Sequence, residues 1–117
     1  MSVASNIPDI LNIDAYRNDT LSLVITLTDS AGAAIDLSTA AMKMEVRTRP
    51  DGTVKLTLTE GAGLTVGGAG NNVVTVAKVV DIDDCGSYYY DLQATYNSGV
   101  VTTYLKGMFN VLDDITK

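Results

Sequence analysis

The sequence predicts an all-β fold, an antiparallel sandwich of about seven to nine strands, from three observations. Apolar and polar residues alternate with period two through most of the chain, the spacing of a half-buried strand. The apolar set is weighted toward Val, Ile, Leu and Tyr, joined by many Thr, and β-branched and aromatic residues of this kind suit a pleated surface. Turn signals recur at short intervals, and no window sustains a helical period. At 117 residues the chain fits one domain, long enough to bury a core without metal or disulfide staples. Residues 1–9, "MSVASNIPD", read as a polar N-terminal arm, leaving 10–117 as the single sandwich domain.

The elements follow in order. "ILNIDAYRND" alternates loosely and leads into "TLSLVITLTD", where Leu21, Leu23, Ile25 and Leu27 share one face. "DSAG" closes a turn in which Gly32 is free to take positive φ. After a short extended piece, "AIDLST", Met42, Met44 and Val46 alternate with Lys43, Glu45 and Arg47. Pro50 to Thr53, "PDGT", is a turn with proline fixing φ and Asp-Gly making the bend. "VKLTLTE" alternates again, and Leu64-Thr65-Val66 forms a brief strand between glycine-rich loops. "NVVTVAKVV" is a further strand, and "DIDDCG" a connector with room for one helical turn capped by Asp81. Two long strands, "SYYYDLQATY" and "VVTTYLKGMFNVL", are joined through Asn97-Ser98-Gly99 as a hairpin.

Composition narrows the function. A net charge of -6 with no basic cluster argues against nucleic acid, because neutralising phosphates takes Lys and Arg; Arg47 and Arg49 read as solvated strand residues. The absence of histidine removes the usual general base and the commonest metal ligand. A single cysteine, Cys85, allows no internal disulfide and no cysteine-based zinc site. No apolar run reaches the length of a membrane helix, and the N-terminus lacks the pattern of a signal peptide. The expectation is therefore a chain made in the cytoplasm, with no membrane partner and no cofactor.

No motif carries catalysis. No lysine lies in a Ser-x-x-Lys arrangement, and Cys85, with acidic neighbours, reads as a buried or half-buried small residue. Gly61, Gly63, Gly67, Gly68 and Gly70 lack the Gly-Lys-Ser/Thr and the helix of a phosphate cradle, so they read as a loop shaped to meet a neighbour. Asp81, Asp83, Asp84 and the pair Asp113-Asp114 do not match an EF-hand and read as solvated turn carboxylates. Among the tyrosines, Tyr88 and Tyr90 share a face with Leu92 and Ala94 and serve the core. Tyr89, Tyr96 and Tyr104 are read as a cluster on the outer face.

Asp84-x-Gly86-x-Tyr88 also looks like the approach to strand F of an immunoglobulin-like sandwich. There a corner tyrosine precedes the disulfide cysteine by two residues, a position that Tyr90 takes here. The run Gly86-x-Tyr88-x-Tyr90-Asp91-Leu92, a turn, Gly107-x-Phe109-x-Val111 and Asp114-Ile115-Thr116 resembles a domain of tailed-bacteriophage structural proteins. The resemblance is to the N-terminal domain of upper baseplate proteins. Asp19-Thr20-Leu21, Ile35-Asp36-Leu37-Ser38, Met42-Lys43-Met44-Glu45-Val46-Arg47 and Asp51-Gly52 agree in order, so it spans about residues 10 to 116.

The resemblance implies a non-enzymatic virion building block of the tail, baseplate or fibre-attachment region, an immunoglobulin-like sandwich that works by assembly. Its partners would be other phage virion proteins, in a homo-oligomer or symmetric array, and its place the virion. Ile7 and Pro8 of the arm, Leu64 and Val66 of the glycine-rich region, and Tyr89, Tyr96 and Tyr104 are the expected contact residues; strand edges, loops and arms are how such parts join. A capsid decoration or head-fibre protein is the alternative. A carbohydrate-binding module, stacking sugars on Tyr89, Tyr96 or Tyr104, is a second.

Overall fold

In the alternating stretches every second side chain turns inward, and the structure realises each of them as a strand. A computed structural model describes residues 2–3 and 9–113, and all regular elements there are β. They are β1 (Ser2–Val3), β2 (Asp9–Ile10), β3 (Ile13–Tyr16), β4 (Thr20–Thr26), β5 (Thr28–Asp29) and β6 (Ala40–Arg47). β7 (Val54–Glu60), β8 (Gly63–Gly67), β9 (Val73–Val79), β10 (Gly86–Tyr96) and β11 (Val101–Leu112) follow. The all-β expectation holds. The helical turn at Asp81 is corrected: residues 81–85 form an irregular connector without helix.

The strands run side by side in the order β2-β11-β10-β6-β7-β8-β9-β4, with β3 also on β11, while β1 pairs separately with β5. Connectivity forces this sheet to curl. Flat, seven strand spacings would separate β3 from β4 by ~34 Å. Yet the chain passes from Tyr16 to Thr20 in four steps, which span at most ~14 Å. The two ends therefore meet. Asn18 N–H donates to the Val80 carbonyl at 2.8 Å, Val80 N–H to the Asp19 carbonyl at 2.9 Å, and Arg17 N–H to the Leu112 carbonyl at 2.9 Å. The Arg17 guanidinium adds bonds to the Asp83 carbonyl at 2.8 Å and to Asp113 at 3.3 Å.

The bend lies between β7 and β8. Their parallel pairing covers only Thr59↔Gly63 and Glu60↔Leu64, across a two-residue connection. A regular parallel ladder needs a crossover of a dozen or more residues, so this contact is a chain corner. It divides the sheet into a portion built on β6, β7, β10 and β11 and another built on β4, β8 and β9, each with antiparallel neighbours. The purely antiparallel expectation is corrected, because β2 and β3 run parallel to β11 and β1 runs parallel to β5. Periodicity reports which face a residue takes and carries no information on the direction of its neighbour.

The core lies inside the curl. Met42, Met44 and Val46 meet Leu56, Leu58 and Leu92 from one portion, and Ile25, Leu64, Val74 and Val76 close it from the other. Phe109 is fully buried and packs edge-on against Tyr90, ring centres 6.4 Å apart at 71°. Burying such a ring contributes ~1.5–3 kcal/mol. Asn72, a buried polar residue, is matched to Leu27 in both directions, its amide donating to the Leu27 carbonyl and its own carbonyl accepting the Leu27 N–H, both at 2.9 Å.

Glycine at 107 decides how closely the N-terminal segment runs alongside β11. A Cβ there would overlap the Leu11 carbonyl oxygen. Without one, Leu11 N–H reaches the Lys106 carbonyl at 3.0 Å, Met108 N–H reaches the Asn12 side chain at 3.0 Å, and β2 and β3 dock on either side.

Candidate functional site

Three strands brought together from distant parts of the sequence make the most distinctive surface. On the outer face of the β6–β10–β11 portion, Arg47, Tyr89 and Met108 lie in one cross-strand row, and Glu45, Asp91 and Lys106 in the next. Ile10, opposite Lys106 on β2, and Pro50, from the β6–β7 turn, wall the ends. Together they enclose a cleft of about 360 Å³. Its walls are apolar: Ile10 is 69% exposed and Tyr89 39%, a high value for side chains of this type.

The charges in the cleft are unequally satisfied. Glu45 receives Arg47 at 3.1 Å and Lys43 at 3.6 Å, and Arg47 also donates to the Gly52 carbonyl at 2.9 Å. Asp91, half-buried between these strands, has neither a hydrogen-bond donor nor an ion-pair partner among the described residues. Burial, and then repulsion from Glu45, raise its carboxyl above the ordinary range, partly offset by the Arg47 and Lys43 charges. Lys106 stands directly across from Asp91 without forming an ion pair with it.

Tyr88, Tyr90, Tyr96 and Tyr104 are structural. Tyr88 is buried and its hydroxyl donates to the Asp84 carbonyl at 2.6 Å, four residues upstream. Tyr90 is buried and donates to the Leu11 carbonyl at 2.6 Å. Burial raises the pKa of both phenols, most strongly at Tyr90. The outer cluster of Tyr89, Tyr96 and Tyr104 is corrected. Tyr96 has the same strand parity as Tyr88 and Tyr90 and packs partly buried against the core. Tyr104 is turned inward by a bulge, where the β10–β11 register slips between Leu92 and Gln93, and is 8% exposed. The two hydroxyls hydrogen-bond each other, and desolvation followed by that bond raises the Tyr96 phenol.

Leu64 is likewise corrected as an exposed contact residue, since it is 1% exposed, the second residue of β8, and Val66 packs partly buried against the core. Ile7 and Pro8 lie outside the described residues. Cys85 is exposed, against the expectation of burial, because the irregular connector carries it outward. Arg49 is an exposed turn residue beyond the end of β6 rather than a strand residue. Among the described residues no group of three acidic, cysteine or histidine side chains converges as a metal site.

No protein-family model matches the chain, and no curated protein matches it. Solved structures are similar to it at low identity. The fibronectin(III)-like modules of Clostridium thermocellum CbhA give a TM-score of 0.45 at 16% identity, over 95% of this chain and 96% of that one. CopC from Methylosinus trichosporium OB3b gives 0.44 at 10% identity, over 94% and 88%. An endo-fucoidan hydrolase of glycoside hydrolase family 107 gives 0.48 at 18% identity. That match covers 97% of this chain, which spans 14% of the hydrolase. At such scores these likenesses assign no activity.

Proposed function

We propose that this chain is an immunoglobulin-like β-sandwich module that works by binding other proteins, as a non-enzymatic structural part of a tailed-phage virion in the tail, baseplate or fibre-attachment region. Two internal features support the sandwich. The Tyr88 hydroxyl bonded to the Asp84 carbonyl resembles the tyrosine corner of such folds, and buried Tyr90 stands two residues on, where they carry a disulfide cysteine. The observation that carries the binding role is the cleft itself: an amphipathic hollow, built on rigid strands, in which exposed Ile10 and Tyr89 surround an unpaired Asp91. Exposed aromatic and aliphatic anchors with a few polar groups make the centre of a protein interface. The assignment to a virion rests on the phage resemblance of residues 86–116.

The test is the composition of purified particles. Tailed-phage particles from cells carrying this gene are banded on a density gradient, separated into heads and tails, and quantified by mass spectrometry. The chain is expected in the tail fraction at a fixed ratio to other virion proteins. Its presence in tailless heads alone would move it to a capsid decoration or head-fibre role. Its absence from particles would refute the virion reading. The carbohydrate-binding alternative is weakened by geometry, because two of its three stacking tyrosines, Tyr96 and Tyr104, are turned into the core.

A further inference from the structure

From the cleft's unmatched chemistry we infer that it docks an arginine side chain of a partner protein, with the guanidinium held between the Tyr89 ring and the Asp91 carboxylate. This deepens the reading of the chain as a binding module and names the surface and the chemistry it takes.

Four observations lead there. First, Asp91 is a half-buried carboxylate without a donor, and nearby cations do not supply one. Arg47 is committed to Glu45 and the Gly52 carbonyl, and Lys43 to Glu45. A half-buried carboxylate with no protein donor keeps its acceptor positions open to an incoming one. Second, Tyr89 lies two residues before Asp91 on the same face of β10, about 7 Å along the strand. A planar guanidinium can stack on the ring and reach the carboxylate from there, whereas a lysine ammonium has no plane to stack. Third, the walls formed by Ile10, Pro50 and Met108 are apolar, as the methylene stem of an arginine requires. Fourth, a net charge of -6 favours encounter with a basic partner.

Lys106 gives the proposal a sign that a nonspecific surface would not have. It stands across from Asp91 in the same cross-strand row, so removing its charge should improve docking of a cation while removing that of Asp91 weakens it.

The experiment is a titration of the isotopically labelled chain with N-acetyl-arginine methylamide, followed by amide shifts. The uncharged isostere N-acetyl-citrulline methylamide and the lysine analogue run alongside. Saturable shifts confined to residues around Tyr89, Asp91 and Met108 are expected, with a dissociation constant on the order of millimolar for a single side chain. Citrulline and the Asp91→Asn variant should each weaken binding about tenfold, the scale of one charge-assisted hydrogen bond. Lys106→Met should tighten it, and the lysine analogue should bind less well than arginine. Equal binding of citrulline, or of arginine to Asp91→Asn, or shifts spread over other faces, would overturn the proposal. Both substitutions are on the outer face, and the dispersed spectrum of each variant reports its folding in the same experiment. Failure of the titration with the chain present in particles would refute the cleft alone; arginine binding with the chain absent from particles would refute the virion role alone.

Discussion

The Tyr90 hydroxyl donates to the Leu11 main-chain carbonyl at 2.6 Å, across 79 positions of sequence. The same carbonyl occupies the space that a side chain at Gly107 would fill. A buried phenol thus ties the N-terminal segment, which runs parallel alongside β11, to the neighbouring strand β10.

Tyr90→Phe removes the donor and leaves the carbonyl short of a partner, a loss of ~1–2 kcal/mol. Urea unfolding should show the lower midpoint with an unchanged slope. Amide exchange should accelerate first at residues 9–16, the segment that the bond secures.

Gly107→Ala acts on the same contact by collision. Overpacking against a backbone carbonyl costs ~1–3 kcal/mol, and the strand cannot yield without giving up its bonds to Leu11 and Asn12. Thermal unfolding should fall by several degrees, and the double variant with Tyr90→Phe should lose less than the sum, because both changes release one contact.

Asp91 makes a pH prediction whose sign is opposite to that of a salt-bridged carboxylate. Its pKa is raised in the folded state, so the native chain holds the proton more tightly than the unfolded one. The favourable contribution is complete below the unfolded value, about 3.9, and is lost as pH rises through the folded value. Asp91→Asn should therefore unfold at a higher temperature than the parent at pH 7, with the difference closing below about pH 4. The same substitution is the one expected to weaken ligand docking, so gain of stability and loss of binding should appear together.

Exposed Cys85 predicts chemistry without unfolding. A maleimide should label the native chain completely, and the far-ultraviolet circular dichroism of the product should match that of the parent. Slow labelling that speeds up only in denaturant would contradict its placement in the connector.

Much of the fold was readable from the residues. The faces of Leu21, Ile25 and Leu27, of Met42, Met44 and Val46, and of Tyr88 and Tyr90 all follow from period two. The turns at Gly32 and Gly99 take the positive φ their glycines allow, 85° and 91°. Tyr96 was also readable, since its parity with Tyr90 already placed it inside. Tyr104 was not, because a bulge in strand pairing rotates it and no local signal marks the slip. Nor was the cleft, where Glu45, Asp91 and Lys106 become neighbours only through the registers of β6, β10 and β11. Asp91 did carry one clue: it shares the outward face of Tyr89. A carboxylate beside an exposed aromatic was worth marking.

The claim that the β6–β10–β11 face is the working surface is tested most directly by photo-crosslinking inside forming particles. p-Benzoylphenylalanine is placed at position 89 in one chain and at position 24, the 70% exposed Val24 on β4, in another. Adducts are then identified by mass spectrometry in purified virions. The account predicts an adduct from position 89 to one virion protein, at a segment containing arginine, and none from position 24. Adducts from position 24 alone, or particles that contain the chain with no adduct at position 89, would contradict it.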